Sequence, residues 1–441
     1  MARADFNQIV NRISTIDPIV VKGKIVEVVG LLVESTGPAS SVGDVCIILN
    51  RDDVEVGRAE VVGFKSERTL LMPLGTVEGI TPGFSVITTK QPLMAPTGDS
   101  LLGRILNGLG EPMDGKGPLN ATGERPVSSK IPDPLSRNRI EYPFQTGIKS
   151  IDGLLTLGIG QRVGIFAGSG VGKSVLLGMM AKNCQADVNV IALVGERGRE
   201  VREFIERDLG EEGMKRSVLV VATSDQPALI RLKGALVAAA IAEYFRDQGK
   251  SVFFMCDSVT RLAMAQREIG LTVGEPPASK GYTPSVFAML PQFLERAGNS
   301  DRGSITAIYT VLVEGGDMDE PVADAVRGIL DGHILLSRDL AHKNHFPAID
   351  VLHSISRCFT DVTSESQQAA VKEVRNLMAT YRDNEDLINI GAYEMGRNPK
   401  VDRSIELHDP IEDFLKQGRE EASTMDQTVA VLSQLVHYKS E

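Results

Sequence analysis

Arg162-Val-Gly-Ile-Phe-Ala-Gly-Ser-Gly-Val-Gly-Lys-Ser-Val-Leu-Leu-Gly178 joins an apolar strand pattern, a glycine-rich turn and an apolar helix pattern. This is the layout of a P-loop, in which successive backbone N–H groups cradle phosphate. Lys173 would place its charge on the β- and γ-phosphates, and the Ser174 hydroxyl would bind Mg²⁺. The alternative is a strand-to-helix turn that binds nothing. The residues predicted to bind nucleotide in this loop are Gly168, Ser169, Gly170, Val171, Gly172, Lys173, Ser174 and Val175.

The loop departs from the usual pattern at its first glycine, where this chain has Ala167. Alanine gives up the freedom to take positive φ, but the glycines that follow can still shape the loop. A second apolar strand pattern, Val252-Phe-Phe-Met-Cys256, ends in Asp257, and a carboxylate at such a strand end can hold Mg²⁺ or its water. Alone, such an aspartate is usually a strand-end cap. Together with the P-loop it predicts nucleoside-triphosphate binding, with Ser174 and Asp257 as the metal ligands.

Composition narrows the classes of protein to consider. The 441 residues allow two or three domains, and the net charge of −11 argues against a bulk attraction to nucleic acid. No apolar run approaches the length of a bilayer span, and the first residues lack the apolar core of a signal peptide, so any membrane association is expected to go through partners or a surface helix. The cysteines have no metal-ligand spacing and are predicted to be reduced core or near-core thiols: Cys46, Cys184, Cys256 and Cys358.

The region before the P-loop divides into three segments with different sequence patterns. Residues 4–14 carry one apolar helical stripe from Phe6 to Ile13, which either packs on its own domain or docks a partner protein. Residues 22–89 contain short Val/Ile-rich runs broken by glycine and proline, which predict a small β-barrel used for assembly. Residues 90–147 are rich in proline and glycine and are expected to wrap an edge or link two domains.

From residue 162 to 337, apolar strand patterns alternate with helical patterns, which predicts a parallel sheet covered on both faces. One helix is predicted over residues 227–246, starting at Ser224 or Asp225 with Pro227 in its first turn. In such folds ligands bind at the carboxyl ends of the strands. From about residue 365 the pattern is helical and predicts a C-terminal helical domain.

Hydrolysis needs a group that orients water and a charge that neutralises the transition state. Gly195-Glu-Arg-Gly-Arg-Glu200 follows a strand pattern, so Glu196 is a candidate to polarise water, the alternative being a loop glutamate paired with Arg197 or Arg199. Arg357 follows another strand-like run. It is either a salt-bridge residue at the core edge or an arginine finger that enters a neighbouring subunit's site, and its spacing leaves both open.

Seven motifs stand out along the chain: Ala167-Gly-Ser-Gly-Val-Gly-Lys-Ser174, Gly195-Glu-Arg-Gly-Arg-Glu200, and residues 257–268, 274–282, 304–312, 330–338 and 348–357. Together they resemble the type III secretion ATPases, with the greatest likeness to the flagellum-specific export branch. That group is similar to the catalytic β subunit of rotary ATP synthases. The resemblance runs from about residue 18 to the end of the chain.

The resemblance implies an α/β protein with an N-terminal β-barrel, a central RecA-like P-loop ATPase domain with a parallel sheet, and a C-terminal helical domain. The expected boundaries are an amphipathic segment at 1–17, the barrel at 18–90, the ATPase domain with its lead-in at 91–360, and the helical domain at 361–441. By resemblance, Lys173 and Ser174 hold phosphate and Mg²⁺, and Asp257 supports Mg²⁺. Glu196 activates water, and Arg197 lies near the γ-phosphate. Arg357 acts across the subunit boundary, and Phe346 packs on adenine. A buried core Phe is the alternative for Phe346.

The resemblance also implies partners: a homohexameric ring that binds ATP and Mg²⁺, a central coiled-coil stalk protein at residues 271–282, a negative regulator or peripheral stalk at the N-terminus, an export gate and chaperone–substrate complexes. The expected location is the cytoplasm, peripheral to the inner membrane. An injectisome ATPase is the main alternative. A non-catalytic ring subunit would lack the carboxylate at Glu196, and a nucleic-acid motor is disfavoured by the acidic charge and by the absence of aromatic-interleaved basic strands in residues 22–89.

Overall fold

The computed structural model describes residues 20–129, 131–313 and 317–437. The chain forms two compact units, one ending at Leu93 and one beginning at Met94. The amphipathic segment predicted over residues 1–17, with its stripe from Phe6 to Ile13, lies outside the described residues. Within the described ranges, no helix has both the length and the apolarity that a membrane span requires.

The first unit contains the predicted β-barrel, which is closed and antiparallel. Its strands are β1 (Gly23–Val29), β2 (Leu32–Ser35), β3 (Asp44–Leu49), β4 (Glu55–Lys65), β5 (Arg68–Pro73) and β6 (Ser85–Pro92). They hydrogen-bond in the order β1-β2-β5-β4-β3-β6. Val33, Ile48 and Val61 are fully buried among the side chains that fill the barrel. Because closure pairs every edge, short strands of this kind need no further covering layer.

The second unit is built on a nine-stranded sheet and two small two-stranded sheets. The strands are β7 (Met94–Thr97), β8 (Ile105–Asn107), β9 (Gly123–Pro126), β10 (Pro143–Phe144), β11 (Leu157–Gly158), β12 (Arg162–Ala167), β13 (Val188–Val194), β14 (Ser217–Ala222), β15 (Ser251–Asp257), β16 (Gly298–Asn299), β17 (Ser304–Leu312), β18 (Gly332–Leu336) and β19 (Ile349–Ser356). The order in the large sheet is β19-β18-β12-β17-β15-β13-β14-β8, and β16 pairs with β17. The small sheets pair β7 with β9 and β10 with β11. Every residue of β13 is buried, so both of its faces are covered, as predicted.

Two features of this sheet differ from a purely parallel arrangement. β19 runs antiparallel to β18, and β16 runs antiparallel to β17. At the other edge, β8 from the Pro/Gly-rich lead-in pairs in parallel with β14. The prediction that the lead-in wraps an edge is therefore confirmed.

The helices of the second unit cover the sheet and form the C-terminal region. They are α1 (Lys149–Leu154), α2 (Lys173–Asn183), α3 (Gly198–Glu203), α4 (Gly210–Lys215), α5 (Ala228–Asp247), α6 (Val259–Thr272), α7 (Pro284–Leu294), α8 (Pro321–Ile329), α9 (Arg338–His342), α10 (Phe359–Val362), α11 (Glu365–Asn389), α12 (Pro399–Glu406), α13 (His408–Leu415) and α14 (Met425–His437). A π-helical turn, Phe204–Leu209, lies between α3 and α4. The C-terminal helices share one hydrophobic core with the sheet, since Phe414 and Leu432 cluster with Ile151 and Val163.

The predicted start of the helix over residues 227–246 is wrong. Its N-cap is Pro227, without a side-chain cap, rather than Ser224 or Asp225. The Gln226 N–H donates to the Thr223 carbonyl at 3.1 Å, so these residues close a separate turn before the helix begins. A turn-forming Thr-Ser-Asp-Gln run and an N-cap use the same residue types, and this run forms the turn. The prediction of reduced core or near-core thiols is confirmed, because all four cysteines are free and only Cys358 is partly exposed.

Candidate active site

The carboxyl ends of the central strands place the predicted site residues at one edge of the sheet. Ala167, the last residue of β12, pairs with Leu312 on β17 and with Leu336 on β18. Asp257, the last residue of β15, pairs with Leu193 on β13. Because these strands are parallel, the loops that follow them converge on this edge, where ligands bind in sheets of this kind.

The glycine-rich loop between β12 and α2 uses left-handed backbone where the sequence provides glycine. Gly170 and Gly172 have φ of +79° and +83°, and α2 begins immediately afterwards at Lys173. Ala167 instead belongs to β12 and is completely buried. Strand backbone needs no glycine, which explains why alanine is accepted at the first position of the loop.

Lys173, Glu196 and Asp257 form one cluster although they come from three segments distant in sequence: the start of α2, the loop after β13 and the end of β15. The Lys173 ammonium donates a hydrogen bond to the Asp257 carboxylate, and its Nζ lies 3.6 Å from Glu196 Oε1. The Thr310 hydroxyl on β17 donates to Asp257 Oδ1 at 2.6 Å, which holds that carboxylate in place. Side-chain exposure is 12% for both Lys173 and Glu196 and 6% for Asp257, so the charges interact with little screening.

Burial and the neighbouring charges set the protonation of this cluster. Burial, followed by the Asp257 charge, raises the pKa of Glu196 to about 7, against the opposing effect of Lys173. Burial works against the charge on Lys173, but the two carboxylates outweigh it and raise the pKa of the ammonium above its usual value. Near neutral pH, Lys173 is charged and Glu196 is close to half-ionised. A carboxyl with this pKa can exchange a proton with water at physiological pH.

The carboxylate oxygens of the cluster are suitable ligands for Mg²⁺. Two carboxylates share one ammonium, so the ionised cluster carries a net negative charge, and repulsion from Asp257 adds to the effect of burial in raising the pKa of Glu196. Ser174 lies in the first turn of α2, directly after Lys173. Across the described ranges there is no group of three His, Cys, Asp or Glu side chains that could hold a metal alone. Mg²⁺ commonly takes one or two protein oxygens and completes its shell with water and substrate phosphates.

A pocket with a volume of about 380 Å³ opens beside the loop. Gly172, Val175 and Met179 line one side of it, and Phe346 lines another with 40% of its surface exposed. A Cβ at Gly172 would lie 3.3 Å from the Phe346 ring, so the loop packs closely against that ring. Phe346 is therefore not a buried core residue. An exposed ring over an apolar pocket can stack on a planar base.

Two predicted residues lie away from the cluster. Arg197 is 73% exposed and forms an ion pair with Glu200 at 3.3 Å. Arg357 follows β19 and is exposed, and its backbone N–H donates to the Asp331 carbonyl. Ser356 pairs with Gly332 at the start of β18, whereas Leu336 at the end of β18 lies beside the P-loop strand. These positions are separated along β18 by roughly 13 Å. Arg357 therefore lies near the amino end of β18, whereas its own chain's P-loop lies at the carboxyl end of the strands.

The placement of the arginines also tests the alternatives raised for Glu196 and Arg357. Arg197 pairs with Glu200, and Arg199 pairs with Glu203 at 2.7 Å, so neither is the partner of Glu196. The Arg357 guanidinium has no carboxylate partner in the part of the chain that the structure describes. Both salt-bridge alternatives are therefore wrong in the isolated chain.

Three further arginines adjoin the site, and the sequence reasoning missed them. A Cβ at Gly195 would lie 2.8 Å from Arg261 Cβ, and the buried Arg261 Nε has no hydrogen-bond partner among the described residues. Arg338 begins α9 directly after β18, and a Cβ at Gly168 would lie 2.7 Å from its Nε. Arg419 lines the pocket. The signal for Arg261 and Arg338 was available, because each comes just after the carboxyl end of a sheet strand.

Comparison with known proteins gives a consistent result along the chain. The family models that match are "ATP synthase alpha/beta family, beta-barrel domain" over residues 25–90, "ATP synthase alpha/beta family, nucleotide-binding domain" over 147–356, and "T3SS EscN ATPase C-terminal domain" over 363–434. The chain is 56% identical to a flagellum-specific ATP synthase of Bacillus subtilis over 94% of each chain. It is 50% identical to a type 3 secretion system ATPase of Xanthomonas euvesicatoria over 93% of each chain.

The chain belongs to the type III secretion ATPases of the ATP synthase alpha/beta family. A solved structure of the assembled ATPase EscN in complex with its central stalk EscO, from enteropathogenic E. coli, superposes on it with a TM-score of 0.88. That structure is 45% identical and covers 94% of this chain and 100% of its own. Membership in the type III secretion ATPases confirms the predicted fold class: β-barrel, parallel-sheet nucleotide-binding domain and C-terminal helical region.

Proposed function

We propose that this chain hydrolyses ATP to energise or prime protein export through a flagellar type III secretion apparatus, acting as a homohexameric ring. The observation that carries the proposal is the placement of the Lys173 ammonium between the carboxylates of Glu196 and Asp257, at the mouth of a glycine-rich loop. A structural P-loop would need only the loop. A hydrolase also needs a group beside the loop that positions the attacking water.

In this mechanism the backbone of residues 168–175 binds the phosphates, Lys173 leaves its carboxylate partners to contact the β- and γ-phosphates, and Phe346 stacks on the base. Ser174 and Asp257 would hold Mg²⁺, which would supply positive charge to the phosphates. Glu196 then accepts a hydrogen bond from the attacking water and orients it. Thr310 keeps the Asp257 carboxylate oriented through its hydrogen bond.

The transition-state charge is neutralised across a subunit boundary. Arg357 lies at the sheet edge opposite its own P-loop, is exposed, and lacks a carboxylate partner within the described residues. A neighbouring subunit that presents this edge to the P-loop edge of the next would deliver the guanidinium to the γ-phosphate. Arg197 is 73% exposed, and among the described residues its ion pair is with Glu200, so it can turn toward the phosphate when the subunits assemble.

The export role is supported by the relatives. The flagellum-specific ATP synthase of Bacillus subtilis is the more similar of the two relatives named above, and the type 3 secretion system ATPase of Xanthomonas euvesicatoria supports an injectisome role as the second candidate. Because EscN is solved with a central stalk, we assign the segment 271–282, which runs on from the end of α6 and is exposed over residues 276–280, to a coiled-coil stalk partner. The N-terminal segment engages a negative regulator or peripheral stalk.

The same proposal places the ring at the cytoplasmic face of the inner membrane, bound there through partners. Export-gate proteins and chaperone–substrate complexes are its remaining partners. A non-catalytic ring subunit would not need the Glu196 carboxylate, and a nucleic-acid motor would not be expected to carry a net charge of −11.

The decisive experiment measures ATPase activity per subunit against protein concentration, with oligomer mass followed in parallel. Activity that climbs as hexamers form supports a site completed between subunits. Constant activity per subunit, with the chain monomeric throughout, would contradict the ring mechanism.

The two export branches are separated by complementation. The gene for this chain is introduced into Bacillus subtilis lacking its own flagellum-specific ATP synthase, and swimming in soft agar is scored. Restored motility supports the flagellar branch. Loss of motility despite a folded, ATP-hydrolysing chain favours the injectisome branch.

A further inference from the structure

The pocket beside the P-loop has few polar groups with which to recognise a base. Its walls are apolar, formed by side chains such as Val175, Met179 and Phe346. Among the described residues that line it, only Gln417 and Arg419 have polar side chains. Any hydrogen bond from a lining side chain to a base in this pocket must therefore come from Gln417 or Arg419.

The Gln417 amide is already occupied by the protein. Its Nε2 donates to the carbonyls of Gly147 and Glu421, each at 2.8 Å, and its Oε1 accepts from the Lys149 N–H at 2.8 Å. Both amide protons are therefore used: one joins the C-terminal segment to Gly147, just before α1, and the other bonds within that segment. Gln417 positions the pocket wall and has no donor left for a ligand.

The Arg419 guanidinium, in contrast, has donors to spare. One of its terminal nitrogens donates to Asp208 Oδ1 at 2.6 Å. Its Nε is buried and has no hydrogen-bond partner within the described residues, since the nearest Glu420 oxygen is 3.9 Å away. A guanidinium carries five N–H donors and no acceptor. The ion pair with Asp208 thus anchors a donor-only group at the side of the pocket.

We propose that Arg419 is a specificity-determining residue that contacts the edge of the base and makes this a purine site with little preference for adenine. This inference rests on the proposed ATPase function. Adenine presents ring nitrogens as acceptors and an amino group as a donor at position 6, whereas guanine and hypoxanthine present a carbonyl there. A guanidinium bonds to ring nitrogens and to that carbonyl, but it cannot accept from the amino group.

Discrimination in such a pocket is weak. The apolar walls stack equally well on any purine, and the guanidinium favours the carbonyl of guanine or hypoxanthine at least as much as the edge of adenine. We expect the wild-type chain to hydrolyse ITP and GTP with kcat/KM within about tenfold of that for ATP. A preference for ATP above roughly a hundredfold would overturn the proposal.

The sharper test replaces Arg419 with Gln in the full chain and compares kcat/KM for ATP, ITP and GTP. Glutamine brings a carbonyl that accepts from the adenine amino group and removes the charge, so the ratio of ATP to ITP should rise by about tenfold, the effect of one hydrogen bond. Equilibrium binding of the non-hydrolysable analogues of ATP and ITP should change in the same sense. An unchanged ratio, with all nucleotides weakened equally, would overturn the proposal.

Asp208→Asn provides the matched control. It removes the carboxylate charge but keeps the Oδ1 acceptor that holds the guanidinium in place, so it should lower the melting temperature without moving the ratio of ATP to ITP. A shift as large as that of Arg419→Gln would assign the effect to the ion pair and overturn the proposal. If the wild type hydrolyses ATP but neither variant changes the ratio, only this inference fails. If the wild type hydrolyses no nucleotide, the proposed function itself fails.

Discussion

Glu196 is the residue whose environment most directly controls the chemistry. Its side chain is 12% exposed and lies 3.6 Å from Lys173, and burial followed by the Asp257 charge raises its pKa to about 7. Only the ionised form can take a proton from the attacking water. In the proposed mechanism, the protonation of this carboxyl therefore decides what fraction of the enzyme is active near neutral pH.

Activity should follow this ionisation. We expect kcat/KM for ATP to rise as the pH increases through about 7 and to level off above it, because Glu196 loses its proton there. Lys173 stays charged throughout, since its pKa is raised. The measurement is a pH–rate profile at constant ionic strength. A profile that is flat from about pH 6 to 8 would remove Glu196 as the group that polarises water.

Glu196→Gln should separate binding from turnover. The amide keeps the shape of the side chain but cannot act as a base, so turnover should fall at least about a hundredfold. Equilibrium binding of ATP should weaken by no more than about threefold, because the loop and Phe346 remain intact. Lys173→Ala, which removes the phosphate contact, serves as the contrasting variant and should weaken binding itself. Equal losses of binding and turnover in Glu196→Gln would assign Glu196 a structural role.

The same pKa predicts a dependence of stability on pH. The pKa of Glu196 is raised from 4.5 to about 7 in the folded chain, so the folded state binds more protons than the unfolded state between these values. Its contribution to stability therefore falls as the pH rises toward 7. Compared with wild type, Glu196→Gln should melt at a relatively higher temperature at pH 8 than at pH 5. An unchanged difference between the two proteins would show that Glu196 is not strained by its surroundings.

At the scale of elements, close approach between neighbours positions the P-loop helix. Gly178 on α2 faces the π-helical turn Phe204–Leu209, and a Cβ at this position would lie 2.6 Å from Asp208 Cβ and 2.7 Å from its backbone oxygen. A backbone atom at that distance cannot move aside cheaply. The glycine therefore sets how closely α2 packs on the segment that also anchors Arg419.

Gly178→Ala should destabilise the chain despite the better helix propensity of alanine. Propensity favours Ala by about 1 kcal/mol, whereas overpacking against backbone costs about 1–3 kcal/mol. The net expectation is a loss of about 1 kcal/mol in the free energy of unfolding, measured by denaturant titration. Gly328→Ala on α8 is the control, because no atom lies within 4 Å of its added Cβ. It should gain about 0.5 kcal/mol, and a loss there would show that helix propensity is not the relevant effect.

At the scale of the whole molecule, the two ends of the parallel strands carry different parts of the proposed site. The P-loop, Glu196 and Asp257 lie at the carboxyl edge, and Arg357 lies at the other. Within one chain the two lie at opposite ends of β18. The proposed ring would bring the Arg357 of one subunit to the P-loop of the next.

Arg357→Ala should abolish the rise in activity that accompanies assembly while leaving nucleotide binding by the monomer unchanged. Loss of an arginine finger costs about a thousandfold or more in turnover. Arg302→Ala is the matched control, since Arg302 is 69% exposed, comes just before β17 and has only a 3.9 Å contact with Asp301. Activity against concentration is compared for the three proteins. If Arg357→Ala behaves like Arg302→Ala, the finger role is wrong.

Much of the fold was predictable because it depends on local patterns. Continuous apolar runs marked the parallel strands, and the lead-in and the C-terminal helices were recognisable from composition and periodicity. Short elements such as the strand β2 and the helix α12 could not be placed individually, because a few residues of ordinary sequence carry little pattern. The start of α5 was wrong for a related reason, since turn and N-cap residues are chemically alike.

The sequence by itself determined the P-loop, the strand ends and the residue types at the site, because each depends on neighbours in the chain. Only the tertiary structure decided that Glu196 pairs with Lys173 rather than with an adjacent arginine, that Arg357 lies far from its own P-loop, and that Arg419 reaches the base pocket. These contacts join segments distant in sequence. Their distances and burial follow from how the strands and helices pack, and it is burial that moves the pKa of Glu196 to about 7.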